Sequence, residues 1–500
     1  PMLDVADFGC GVVASYIMEP LLDYDPRTAK KYGRLAKDWT ISDDKLTVTF
    51  RLRKDVTWQD GKPFTADDVI FSWNAMRNPA YATTKIRGTF KDAEKMEKID
   101  SHTVKVTWKK VFFRAVSSFS DVLIMPKHVF DTDKTDFNKH PFHRKPLGTG
   151  PYRIEAWKSG DRITLKRHKD YWGAKVEGLP LNNPAIDTIT YINLQEPEVI
   201  LQSFKRGDID FTGMSPDQFE ANEAKFRADP TIKISQYALP SYVYAVWNQR
   251  KALFKDKKVR QALLYAINRD GIIDQVYRGV YKRITGPILP DSNSYDSSLT
   301  PRPFDLEKAK ALLNEAGWKR NKKGALVNAK GTPFVFKMSI PSSSKTFEQV
   351  ATIYKKDLSR LGITMDIERV EWATFLKLLN EHNFDLAALG WRLGYESDHY
   401  KLWHSSEAEA GQNYAGVALP ELDKLLETIR VTLDEKIRAP LEQKLHGIIY
   451  DEAPYIFIAR PAARVVSRTY IKGFRPLPVS TVHDNRDWWI DQGMKQKQKK

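Results

Sequence analysis

The residues best suited to do chemistry lie at positions 389–406, LGWRLGYESDHYKLWHSS. Trp391, Tyr395, Tyr400 and Trp403 offer flat apolar faces, and Arg392 and His404 supply polar handles. Glu396 and Asp398 add carboxylates. Apolar walls with a few convergent hydrogen-bonding groups suit non-covalent capture of a small molecule. The competing reading makes Trp391 and Trp403 core residues. A second aromatic run, YALPSYVYAVWN at 237–248, alternates Tyr242, Tyr244 and Val246 with Val243, Ala245 and Trp247. One of its faces is expected to meet a core and the other a ligand, and the period alone does not say which.

Catalytic patterns are missing. The chain has no H-E-x-x-H, G-x-S-x-G, P-loop or G-x-G-x-x-G motif. Its 10 histidines are dispersed, and its 1 cysteine, Cys10, excludes an internal disulfide. No metal site with regular ligand spacing and no cofactor is expected. The carboxylate pairs Asp67/Asp68 and Asp208/Asp210 read as cap and turn residues. A glycoside hydrolase whose two acids are far apart in sequence leaves no motif, so a carbohydrate-active enzyme stands as the alternative from another class.

The elements that must position these residues follow from periodicity. Leu46, Val48, Phe50 and Leu52 alternate with Thr47, Thr49 and Arg51, which predicts a strand. Asp60-Gly61 turns the chain, and Thr65 with Asp68 forms a capping box. TVKVTWKK at 103–110 places Val104, Val106 and Trp108 on one face. From about residue 250, helices at 257–268, 305–317, 345–361 and 372–382 alternate with strands at 363–367 and 384–390. Such alternation predicts helices packed on a sheet, an α/β class. Of the 500 residues, 42% are hydrophobic, which supports large cores, and no run of 18 apolar residues spans a membrane. The net charge is +16, but the charges are scattered except in the tail KQKQKK, which reads as disordered. No nucleic-acid-binding motif accompanies them, so no nucleic acid is expected as partner.

The order of several blocks carries a resemblance. LAKDWTISDDKLTVTFRLRKDVTWQDGKPFTADDV at 35–69 is followed by KPLGTGPY at 145–152 and RHKDYWG at 167–173. Then come LQSFKRGDID at 201–210, VRQALLYAINR at 259–269, EKAKALLNEAGW at 307–318 and LAALGW at 386–391. In this order the chain resembles the family 5 extracellular solute-binding proteins, the dipeptide-, oligopeptide- and nickel-binding receptors of ABC importers.

The resemblance implies a two-lobed α/β periplasmic binding-protein (Venus-flytrap) fold with an extra β-rich subdomain on the first lobe. It implies lobe I at 1–45 and 148–249, the subdomain at 46–147, lobe II at 250–460, a return to lobe I at 461–490 and a basic disordered tail at 491–500. Lobes of that family close over ligand in the cleft between them. The implied function is capture of a solute, foremost a peptide, and its delivery to the permease subunits by a monomeric receptor. A non-peptide solute (opine, sugar or metal chelate) is the alternative. Trp391 takes the position of the family's pocket tryptophan, and Ser15 and Tyr16 that of its first-lobe wall. Peptide binders place an aspartate, for the peptide ammonium, where this chain has Gly394. Glu396 or Asp398 would have to replace it, because burying an ammonium unpaired is costly. A periplasmic or extracytoplasmic location is implied as well. The chain opens without a charged and then apolar leader, so the leader and part of a first strand are expected to be missing.

Overall fold

A computed structural model describes residues 8–81, 83–132, 136–182, 184–394, 396–476 and 485–498. The chain divides into two compact units. Unit 1 comprises Pro1–Met214, Glu223–Ser235 and Val465–Lys500; unit 2 comprises Ser215–Asn222 and Gln236–Arg464.

In unit 1, strands Ala36–Ile41 (β1), Thr47–Leu52 (β2), Ala93–Asp100 (β3) and Thr103–Trp108 (β4) form an antiparallel sheet in the order β1-β2-β4-β3. Val48, Phe50, Leu52, Val104, Val106 and Trp108 are buried, as their alternation predicts. The sheet begins at Ala36, ahead of the boundary expected at residue 46. One hydrophobic cluster runs from Val13 to Leu179. The residues 46–147 therefore share their core with the rest of unit 1 instead of enclosing one of their own.

The sequence blocks of this unit brace the interior. Thr65 caps helix Ala66–Arg77 in a complete capping box. Asp68 Oδ2 accepts from Thr65 N at 2.9 Å and from Trp58 Nε1 at 3.3 Å, and Oδ1 accepts from Lys127 N at 2.9 Å. The Gln59 amide donates to the carbonyls of Gly150 and Tyr152 at 3.0 and 2.7 Å. Gly148 and Gly150 press against the end of helix Phe8–Ile17, where a Cβ on Gly148 would lie 1.6 Å from the Ile17 carbonyl oxygen. Glu19 is 1% exposed; it accepts from Tyr171 Oη at 2.6 Å and Trp172 Nε1 at 2.9 Å, with Arg34 Nε at 3.7 Å. The KPLGTGPY and RHKDYWG blocks thus hold unit 1 together.

The tail departs from expectation. Gln492–Gln498 is a helix, so the disordered tail expected from residue 491 is a correction. Asp491 caps it, accepting from Met494 N at 3.0 Å, and its basic residues lie in the last turn, where the helix dipole favours them. The Gln498 amide donates to Thr469 Oγ1 at 2.8 Å.

Unit 2 is built on strands Ser241–Trp247 (β5), Val335–Pro341 (β6), Thr364–Val370 (β7), Leu386–Arg392 (β8) and Tyr455–Ala459 (β9). Their order is β7-β6-β8-β5-β9. β6 runs parallel to β7 and β8, whereas β5 runs antiparallel to β8 and β9. Helices cover both faces. Ala245, Trp247, Ala388 and Ile456 share one core with helices Lys257–Tyr265, Leu306–Glu315 and Lys345–Ser359. Tyr242, Tyr244, Val246 and Leu389 share another with helices Trp372–Asn380, Pro420–Val431 and Glu435–Glu452. Two expectations are corrected here. The second unit includes residues before 250, because β5 is an interior strand of its sheet. Neither face of β5 is left for a ligand alone, because an interior strand with helices on both sides packs against a core on each.

Candidate functional site

β8 carries its own change of environment. Leu386, Ala387, Ala388 and Leu389 are buried, Gly390 is exposed, Trp391 is half-buried and Arg392 is exposed. The strand therefore starts in the core and ends at the surface of unit 2, where Trp391 and Arg392, as successive strand residues, project to opposite faces of the sheet. The antiparallel register sets Trp391 opposite Tyr242 and Arg392 opposite Ser241.

Trp391 is held by aromatic rings. Tyr244, diagonal to it across the ladder, lies nearly parallel at 6.2 Å and 10°, and Tyr414 does so at 6.3 Å and 3°. Tyr244 stacks in turn on Tyr455 at 4.2 Å and 15°. Trp403 tilts onto Tyr455 at 4.6 Å, and Tyr242 meets Tyr244 and Phe457 edge-on. Burial pushes the hydroxyls of Tyr242, Tyr244 and Tyr455 well above their ordinary pKa. All three are neutral donors at physiological pH. Arg392 is exposed overall, but partial desolvation lowers it from its usual value, and the guanidinium remains a cation.

The expected site residues divide accordingly. Trp391, Arg392 and Gly394 lie together at the exposed end of β8. Trp403, Tyr242 and Tyr244 are each 0% exposed and form the wall behind Trp391, so Trp403 offers no stacking surface and its competing core reading holds, and the face of β5 left open between core and ligand is a core face at Tyr242 and Tyr244. Asp398 is corrected too. Its side chain is 3% exposed and pairs with Arg430, itself 9% exposed, at 2.7 Å. It also accepts from Tyr400 N at 3.2 Å, and Arg430 lies over the Tyr400 ring at 4.1 Å. A carboxylate committed to a buried guanidinium is not available to a ligand ammonium. His404 is nearly buried, caps the next turn through Ser406 N at 3.1 Å and stacks on Tyr400 at 4.0 Å. Tyr395 lies outside the described residues. A Cβ at Gly394 would meet nothing within 4 Å, so the missing side chain leaves open space.

In unit 1, Ser15 is exposed and its hydroxyl donates to Val12 O at 2.8 Å. Tyr16 is buried against Tyr152 at 5.9 Å, edge to face, which corrects its expected role as a wall. Sequence reasoning missed Tyr414 and Tyr455, the outer rings of the Trp391 stack. The short apolar run PYIFIA at 454–459 suits a buried strand, but its pairing with β5 is what sets Tyr455 beside Tyr244.

The profile of the bacterial extracellular solute-binding proteins, family 5 Middle, matches residues 30–413. The chain belongs to this family. The oligopeptide-binding protein AppA of Bacillus subtilis (strain 168) is 29% identical to this family 5 protein over 468 residues, 91% of this chain and 83% of that one. The solved structure of that AppA with a nonapeptide covers 98% of this chain and 96% of its own, with 28% identity and a TM-score of 0.86. The structure of the periplasmic binding protein DppA from Helicobacter pylori with peptide STSA gives 25% identity, coverage of 98% and 95%, and a TM-score of 0.85. Heme-binding protein A of Haemophilus influenzae is 28% identical over 504 residues, 96% of this chain and 88% of that one. The fold is that of the periplasmic binding proteins. No helix among the described residues of this family 5 protein is long and apolar enough to cross a membrane.

Proposed function

We propose that this protein captures a peptide outside the cytoplasm, at the exposed end of β8, and hands it unaltered to the permease of an ABC importer. The observation that carries the reading is Trp391, half-buried in a stack of parallel rings at the surface end of β8. A rigid aromatic wall held by packed rings supplies apolar contact for a solute. The family and the peptide-bound relatives support peptide as the solute class and transport as the purpose.

A second reading has its own support. Gly394 has no side chain and Asp398 is taken by Arg430, so this end of β8 offers no carboxylate from those two positions to a peptide ammonium. That leaves Glu396 as the remaining carboxylate of the two expected to replace the aspartate, and a relative named for binding heme favours a solute without an ammonium. Native mass spectrometry of freshly purified protein, followed by calorimetric titration with a mixed-length peptide library, separates the two. Saturable peptide binding without product supports the peptide reading. A co-purified non-peptide solute, with no peptide bound, replaces it by the second.

A further inference from the structure

Three arginines from separate segments of unit 2 converge with one carboxylate among them. Arg283 Nη1 pairs with Asp270 at 2.9 Å, and its Nη2 donates to the Arg302 carbonyl. Arg269 is 5% exposed and meets only carbonyls: Nη2 donates to Arg302 O at 2.6 Å and Nη1 to Phe457 O at 3.4 Å. Its Nε has no partner. Arg302 is 8% exposed and lies over the Tyr450 ring at 3.9 Å, and no carboxylate among the described residues pairs with it. Asp270 acts on Arg269 as well but is paired with Arg283, so among the described residues three guanidiniums share one carboxylate.

Burial lowers Arg269 to a pKa of about 9, which leaves it charged at neutral pH. Carbonyls hydrogen-bond a guanidinium but do not neutralise it, and a buried charge without a counter-ion is costly. Beside these side chains lies a cavity of about 10 Å³, lined by Arg269, Arg302, Thr285, Tyr450 and Tyr455 among others. That volume is on the order of a single water-sized particle.

We propose that this cavity is an anion site that takes one halide ion, chloride under ordinary conditions, between Arg269 and Arg302. A monatomic anion matches both the size of the cavity and the missing charge. Sulfate and phosphate are too large for it. The site draws on neither the exposed end of β8 nor the identity of the transported solute.

The test uses the full chain exchanged into gluconate. Thermal unfolding is followed as chloride, bromide or sulfate replaces gluconate at constant ionic strength. The expected result is a rise in Tm that saturates with chloride and with bromide, is missing with sulfate, and is lost in Arg302→Met. In crystals grown in bromide, an anomalous peak is expected between Arg269 and Arg302. A Tm indifferent to halide overturns the proposal. So does a rise that never saturates, which marks an adventitious ion only, and so does an equal rise in Arg302→Met. If that variant fails to fold, the bromide map decides: density without anomalous signal means the cavity holds water and the proposal is wrong.

Discussion

Trp391 and Trp403 lie twelve positions apart on the same sequence motif, yet burial gives them different work. Trp403 is wholly enclosed, so Trp403→Ala leaves a large void and should cost roughly 3–5 kcal/mol of stability. Trp391 is half-buried at a surface, so Trp391→Ala should cost less stability but weaken solute binding by about 2 kcal/mol or more. Paired urea unfolding and calorimetry check both. A collapsed stability in Trp391→Ala with unchanged affinity would reverse the assignment. The Asp398–Arg430 pair gives a second contrast. Asp398→Asn strands a buried guanidinium and should destabilise by about 3–5 kcal/mol, while the folded fraction keeps its solute affinity. Acetylating the N-terminus of a bound peptide should likewise change affinity less than about tenfold if no carboxylate near Gly394 holds the ammonium. A loss of several kcal/mol on acetylation would show that another carboxylate does hold it.

At the scale of elements, the family blocks of unit 1 act as joints. Asp68 ties a helix start to the Trp58 turn and to Lys127, and Gly148 lets a loop touch the end of Phe8–Ile17. Gly148→Ala forces a methyl into a backbone carbonyl and should cost at least the roughly 1–3 kcal/mol of an overpacked core, read from the urea midpoint. A midpoint equal to that of the unchanged protein would mean that the loop simply moves away. In unit 2, His446 on helix Glu435–Glu452 is buried. Its Nε2 meets Thr285 Oγ1 at 3.1 Å, and Asp296 N donates to its Nδ1 at 3.4 Å. Burial lowers it to a pKa of about 4, with Asp296 opposing the shift and His399 adding to it. An unfolded histidine titrates near ~6.5, so between these values the unfolded chain binds a proton that the folded one refuses. The stabilisation is complete above the unfolded pKa and is lost as pH falls toward the folded one, about 3 kcal/mol in all. Tm should drop from neutral pH to about pH 5, and less so in His446→Gln. An identical drop in that variant would assign the effect to other groups.

For the whole molecule, the prediction is thermodynamic. A solute that binds only the folded chain, present at about 100 times its Kd, should add roughly 2.7 kcal/mol of stability. Scanning fluorimetry reads the rise and mass spectrometry of the recovered solute shows whether it is unchanged. Turnover of the solute would contradict the receptor reading and restore the enzyme alternative. A tight solute that leaves Tm unmoved would show that binding does not favour the folded state in the way a receptor requires.

Much of this was present in local sequence. The alternation through Val48, Phe50 and Leu52, the capping box of Thr65 and Asp68, and the Asp305 cap on Leu306–Glu315 are decided by near neighbours, and period and propensity report near neighbours. The helix at Gln492–Gln498 was not legible, because its basic composition outweighed the Asp491 cap and a distant contact to Thr469. The boundary of unit 2 was misplaced for a related reason: β5 joins that unit by pairing with β8 and β9, strands far along the chain. The site shows the same division. Residue types at 389–406 pointed to aromatic surfaces for a ligand. Only tertiary packing decided that Trp391 faces out while Trp403, Tyr242 and Tyr244 stand behind it, and that Asp398 belongs to Arg430. Side-chain exposure and ion pairing depend on elements brought together across the chain, and one strand's pattern carries no record of its partners.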